Sequence, residues 1–382
     1  MINSKIDYFK NTVRLLFLTV FCFVLFSCKQ KNTERHNETH FIKIYDSIVI
    51  NEPSLVFQDY NKGNFLFFNR ASLNIIVYNQ KDNSLLSFNK LGSGASEYKT
   101  LYSGSLKFIN DTIIGVGDIS SIKEYSKKGN FLGKITFNNE NTYATVKNFK
   151  IFNDSILFAQ TPLQGNPSLK SFYQKKQKLF LIKNLNTSFE KKIIDFPIDG
   201  EDFHNKDYYY ENMNNFPMYI KDNYYCFANS NGKNIHKLNM ENHTIDSVIP
   251  LKLPNYNPLK IRFDEGFSND KMMMNLFMNS NILSIYKSNK FTYVLYSSGY
   301  SFNEIKKFKN LHPKFPFQES PKTKFYLNAF NEEKTYEVKI PLDLGYPIHI
   351  LNSDTVLIEK FPTENEDLKG ITIIYKCKIQ KK

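Results

Sequence analysis

Four side chains sit at similar points of a recurring pattern, and their oxygens could together hold a hard cation. They are Asn69, Asp118, Gln160 and Asn229, each just past a short apolar run. Amide and carboxylate oxygens converging on one point suit Ca²⁺, and a bound Ca²⁺ can serve as a Lewis acid. That chemistry would fit a Ca-dependent lactonase or hydrolase. The competing reading is local, since Asn and Asp at strand ends cap turns through their own side chains. It gains weight from Lys287 and Lys360, which fall near the corresponding points of two further copies. No other reactive constellation stands out. His36 and His40 have a metal-compatible spacing but lie in a polar stretch with no helix to orient them. Gly92-Ser93-Gly94 lacks the Lys-Ser/Thr and the helix start of a phosphate loop, so it reads as a connecting turn. No residue is assigned a catalytic role, and no cofactor beyond the Ca²⁺ alternative is implied.

Three long insertions, 200–216, 250–274 and 299–324, break the recurring pattern. The first carries Tyr208, Tyr209 and Tyr210. Long loops in compact domains are often functional, and clustered Tyr gives stiff contact area with polar tips. These three side chains are the expected contacts for a protein, peptide or glycan ligand. Simple packing over the body of the fold is the bland alternative.

The elements that must position these residues are β-hairpins. An apolar pair, a polar turn and three to five apolar residues recur at 59–68, 107–116, 150–159 and 219–228, and more weakly at 277–286 and 349–358. Asn and Asp tolerate the positive φ of tight turns, so each copy reads as a hairpin. Several copies are followed by a second hairpin, such as 74–78 with 84–88, 122–125 with 131–135 and 235–238 with 244–249. Two hairpins make a four-stranded antiparallel blade. Six copies, one per ~58 residues, imply an all-β, six-bladed β-propeller over residues 41–382. The last repeat stops one strand short, and the first strand, Phe41–Ile50, has no partner of its own. It is expected to close the last blade and remove two sheet edges.

The residues from Lys90 to Leu132 carry a resemblance. Lys90-Leu-Gly-Ser-Gly-Ala-Ser-Glu-Tyr98, Ile113-Ile-Gly-Val-Gly-Asp118 and Ile122-Lys-Glu-Tyr-Ser-Lys-Lys-Gly-Asn-Phe-Leu132 resemble the repeat of six-bladed propellers of the NHL/TolB-like kind. The resemblance implies an envelope lipoprotein of unassigned function. Here Ala95-Ser96 stands where that family usually has Pro-Gly before the glutamate.

Residues 1–27 read as an address. Lys5, Lys10 and Arg14 precede the apolar run Leu15 to Phe26, too short to span a bilayer but fitting a signal peptide. Leu25-Phe26-Ser27-Cys28 resembles the lipobox of bacterial lipoproteins, which implies cleavage before Cys28 and acylation of it, palmitate included. Acyl chains would attach the protein stably to the membrane. Residues 28–40 would then be a lipidated cysteine and a polar tether, with Lys29 favouring the outer membrane.

Composition excludes other classes. The 382 residues carry a formal net charge of +13, yet only four of 50 basic residues are Arg (Arg14, Arg35, Arg70 and Arg262). Nucleic-acid readers favour the bidentate fork of Arg, so dispersed Lys reads as a solvated surface and no nucleic acid is expected. Cys226 and Cys377 fall in different blades and read as small buried strand residues, with pairing left open. The leading expectation is a monomeric, lipid-anchored binding or scaffolding module of the cell envelope, with membrane, envelope protein or glycan as partners.

Overall fold

A computed structural model of the chain describes residues 40–137, 146–159, 177–196, 208–210, 216–258, 260–262, 275, 277–311, 322–331, 334–352, 354–361, 363 and 370–381. Six four-stranded antiparallel sheets form a six-bladed β-propeller. The first strand in the chain, β1 (His40–Ile50), belongs to the last blade. Blade 1 is β2 (Leu55–Asn61), β3 (Asn64–Asn69), β4 (Ile75–Asn79) and β5 (Ser84–Phe88). Blade 2 is β6 (Leu106–Phe108), β7 (Ile113–Asp118), β8 (Ser121–Ser126) and β9 (Phe131–Thr136). Blade 3 holds β10 (Lys150–Phe152), β11 (Ser155–Ala159), β12 (Gln177–Asn184) and β13 (Glu190–Phe196). A separate strand, β14 (Tyr208–Tyr210), precedes blade 4, which is β15 (Met218–Lys221), β16 (Tyr224–Phe227), β17 (Asn234–Asn239) and β18 (Ile245–Pro250). After β19 (Lys260–Arg262), blade 5 is β20 (Asn281–Lys287), β21 (Thr292–Ser298), β22 (Lys324–Phe330) and β23 (Thr335–Ile340). Blade 6 is β24 (Tyr346–Ile350), β25 (Thr355–Glu359) and β26 (Thr372–Lys381), completed by β1.

The closure expected from the sequence is present, one residue longer. β1 runs antiparallel to β26 from His40 opposite Lys381 to Ile50 opposite Thr372, with a bulge between Ile44 and Asp46. The seam is apolar inside: Ile48 and Ile50 pack with Leu357 and Ile374 of blade 6 and with Phe65, Phe67 and Ile76 of blade 1.

The second strands show why alternation makes a ring. β3 is buried almost throughout, yet its period of two sends Phe65 and Phe67 into the core shared with blade 6, while Leu66 and Phe68 enter the core shared with blade 2. β16 and the residue after it divide the same way, with Tyr225 and Phe227 towards blade 3 and Cys226 and Ala228 towards blade 5. Each blade therefore completes two cores, and none can bury its own faces alone. Phe and Tyr fill these interfaces with tilted and edge-on rings, such as Phe180 and Phe227 at 4.7 Å across blades 3 and 4.

The fifth repeat differs from expectation. Asn279-Ser280-Asn281 is not a hairpin turn. The true first hairpin lies ten residues on, where Ser288 Oγ accepts from the amides of Lys290 and Phe291. The polar triplet is instead buried between blades, as described below.

The topology gives the ring two unlike rims. The first turn of every blade and the third turn of blades 1 to 5 lie at one end, the hairpin rim. Second turns and blade-to-blade connections lie at the other, the insertion rim. All three long insertions open on the insertion rim. The third contains a helix, α1 (Phe302–Leu311), whose start is a capping box: Ser301 Oγ accepts from Glu304 N, and a Glu304 carboxylate oxygen accepts from Ser301 N at 2.8 Å. Among the described residues, no helix is long and apolar enough to cross a membrane.

Candidate functional site

The four residues read as cation ligands end second strands at the insertion rim. Asn69 is buried, and its Oδ1 accepts from Ala71 N at 2.8 Å and Ser72 N at 2.9 Å, while its Nδ2 donates to Pro53 O. Asn229 Oδ1 accepts from Asn231 N at 2.8 Å. Asp118 Oδ1 accepts from Ile119 N at 2.8 Å, and its other oxygen faces the buried Lys123 ammonium at 3.5 Å. Lys123 also donates to the Glu97 carbonyl, which ties the Gly92–Glu97 turn to blade 2. Each of the three thus commits oxygen to a neighbouring amide, and the positive charge at Asp118 is a lysine. Gln160 lies outside the described residues. In blade 5 the equivalent position is Ser298, because Val294 and Tyr296 face the blade 4 core as Val356 and Ile358 face the blade 5 core. Lys287, expected there, ends the first strand at the other rim. Among the described residues no group of three His, Cys, Asp or Glu side chains is gathered as metal ligands.

Beside Asn229 lies a polar contact between blades 4 and 5. Asn231 Nδ2 donates to Asn279 Oδ1 at 3.0 Å, and Ile282 N to Ser230 O at 2.7 Å. Ser280 Oγ accepts from Asn257 N and Gly299 N, both at 3.0 Å. All five of Asn229, Ser230, Asn231, Asn279 and Ser280 are buried. The matching Asn-Ser-Asn triplets form a rivet, the first of them within a turn that Gly232 N closes on Asn229 O at 2.9 Å.

The tyrosine insertion does acquire structure. β14 pairs antiparallel with β19, placing Tyr208 opposite Arg262, Tyr209 opposite Ile261 and Tyr210 opposite Lys260. The ribbon joins the connections on either side of blade 4, so two of the three insertions meet. Nothing in the sequence pattern announced that pairing, because each strand has three residues and a partner about fifty positions away.

A second polar constellation, missed from the sequence, lines the channel. The innermost strands carry Asp59, Lys107, Lys150, Tyr219, Ser284 and His349 at equivalent register, directly opposite Leu66, Gly115, Leu157, Cys226, Leu295 and Leu357. Each is half-buried, keeping some accessible surface while protein surrounds it. Lys107 Nζ lies 3.7 Å from Asp59 Oδ1 and donates to Gln58 O at 2.9 Å, while the other Asp59 oxygen accepts from Phe108 N. Burial and the like charge of Lys107 lower the Lys150 ammonium to about 8, Asp59 opposing. Burial holds the His349 imidazole down to about 4, so the ring is neutral at pH 7; Asp59 pulls the other way, and Lys150 and Lys107 add to the lowering. These couplings bring blades 6, 1, 2 and 3 together at one level of the channel. Five of the six recurring sequence segments begin on these residues.

Cys226 and Cys377 are both buried and are not joined by a disulfide, since one lies in blade 4 and the other in blade 6.

No protein-family model matches the chain, and no curated protein matches it in sequence. Solved structures do match. The fold is similar to that of a DUF4221 family member from Bacteroides vulgatus, with a TM-score of 0.62 and 13% identity over 91% of this chain and 100% of the other. It is also similar to a Bacteroides fragilis protein classed as exported, with a TM-score of 0.51 and 11% identity over 91% of this chain and 97% of that one. At such identities the likeness is one of fold, and the fold it supports is the six-bladed propeller read from the repeats.

Proposed function

We propose that the protein is a lipid-anchored binding module of the cell envelope, engaging a protein, peptide or glycan through its insertion rim. The observation that carries this reading is the meeting of two insertions in the Tyr208–Tyr210/Lys260–Arg262 ribbon, with α1 from the third insertion on the same rim. Tyr and Arg in one ribbon combine stiff apolar area with hydrogen-bond donors, residue types enriched at recognition surfaces. The Bacteroides fragilis neighbour, classed as exported, supports an address outside the cytoplasm. Acylation at Cys28 follows from the lipobox resemblance. β1 begins at the hairpin rim, the end of the ring opposite the insertions.

Two measurements test the reading. Metabolic labelling with an alkyne fatty acid should mark the wild-type protein and not Cys28→Ala. A photo-crosslinking residue at Tyr209 should capture a defined envelope partner in cells, while one at Leu132, an exposed residue of the outer strand β9, should not. Equal capture at both positions would remove the ribbon as the binding surface.

A further inference from the structure

We propose that the channel ring formed by Asp59, Lys107, Lys150 and His349 is a binding site for a small organic monoanion bearing a carboxylate. The site is separate from the insertion ribbon and does not depend on its role.

The argument begins with charge. Asp59 and Lys107 face each other at 3.7 Å, and the Asp59 carboxylate is further held by the Phe108 amide. Lys107 also spends a proton on the Gln58 carbonyl. Lys150 is different. Its ammonium has no hydrogen bond or ion pair among the described residues, although protein surrounds it. An ammonium drawn out of bulk water without a counter-ion is costly, and a bound anion would remove that cost. The ring is one cation in excess once Asp59 and Lys107 are matched, so a single negative charge neutralises it. A dianion such as phosphate would face Asp59 with charge to spare.

Shape and polarity point the same way. His349 sits on the blade adjoining Asp59, and its ring lies 5.5 Å from Phe57 and 6.0 Å from Tyr60. Those aromatic faces offer contact for the carbon part of the ligand. A neutral imidazole supplies one donor and one acceptor without adding charge. Tyr219 and Ser284, placed at the same level by register, carry hydroxyls on the remaining blades. Few polar groups among apolar walls, gathered from several blades, is the usual make-up of a small-molecule site.

The titratable groups facing Lys150 are Lys107, Asp59 and the neutral His349, with the Tyr219 phenol on the next blade. Binding should therefore weaken as pH rises through about 8, when Lys150 gives up its proton.

The test is calorimetric titration of the purified protein at pH 7 with sodium acetate and sodium benzoate, against sodium chloride and sodium phosphate at matched ionic strength. The expected result is saturable, one-to-one binding of a carboxylate, weakened at least tenfold in Lys150→Met and retained in Lys150→Arg. A thermal melt of each variant establishes that it is folded, and Lys107→Met provides a second loss of charge at the same ring. Carboxylate binding unchanged in Lys150→Met, or no saturable binding of either carboxylate to wild type, overturns the proposal. Saturable phosphate binding in place of carboxylate overturns the ligand class.

Discussion

Asp46 and Lys376 form an ion pair at 2.7 Å between strands that stand 330 residues apart in the chain. It lies at the β1 bulge, where the register shifts and Asp46 comes to face Lys376. The hydrogen bond from Lys376, then the Ser47 amide, hold the Asp46 carboxyl below its usual value. A depressed carboxylate contributes stability above its unfolded value, and that contribution disappears as pH falls through the folded one. Asp46→Asn should cost about 1 kcal/mol at pH 7, since the carboxylate is half-exposed while Lys376 is buried. The difference from wild type should shrink as pH falls below the ordinary carboxylate value. Urea unfolding of both proteins across pH checks it.

Removal of β1 is the stronger test of closure. Deleting residues 40–50 takes Ile48 and Ile50 out of the blade 6–blade 1 core and leaves β26 as an open edge. The truncated protein should lose cooperative unfolding and self-associate, as read by calorimetry and sedimentation. A monomer that melts like the parent would mean that β1 is dispensable.

Lys150 and His349 make the channel a source of pH dependence. Lys150 is lowered to about 8, so the folded state binds fewer protons than the unfolded chain between there and the ordinary lysine value of 10.5. Stability in that interval should rise with pH, and Lys150→Met should be more stable than wild type below about 8, with the gap closing above it. His349 is lowered to about 4 from 6.5. The folded state therefore loses stability as pH falls across that range, and His349→Gln should abolish the slope. Denaturant midpoints measured from pH 4 to 10 separate the two.

The buried rivet predicts a large effect from a small change. Asn231→Ala removes the donor to Asn279 Oδ1 and leaves polar atoms buried between blades 4 and 5. The expected loss is about 2 kcal/mol. Asn242→Ala, in an exposed turn whose cap it supplies to Thr244, should cost well under half of that.

The α1 cap offers a local counterpart. Glu304 is pulled down to about 2, first by the Lys324 ammonium at 2.7 Å and then by the Ser301 amide. Ser301→Ala should lower stability by about 1 kcal/mol. Hydrogen exchange should show the first turn of α1 opening while the blades stay protected.

Much of this fold was legible because hairpin turns have their own residue chemistry. Lys62-Gly63, Asn153 and Asp222 adopt positive φ where the repeats place turns. Blade 5 departs from the repeat pattern for a physical reason. Asn279-Ser280-Asn281 has the composition of a turn, but burial against Asn231 and Asn257 gives those groups partners that composition alone does not reveal. At the insertion rim, Asn69 and Asp118 were located correctly as strand ends, while their engagement with local amides and Lys123 depends on geometry. The channel ring is not legible in the sequence, because one polar residue in a short apolar strand looks incidental. It gains meaning only when six strands are set side by side in register.

The seam between β1 and β26 opposes the order of synthesis to the order of assembly. β1 is made first, and the strand it must pair with is made last. Until Thr372–Lys381 has left the ribosome, Ile48 and Ile50 have no core to enter and blade 1 lacks one of its two neighbours. The contact closes a loop of 330 residues between Asp46 and Lys376, and closure cost rises with loop length. The nascent propeller thus carries an unmatched sheet edge until β26 is made, and loss of β26 would leave the ring unsealed.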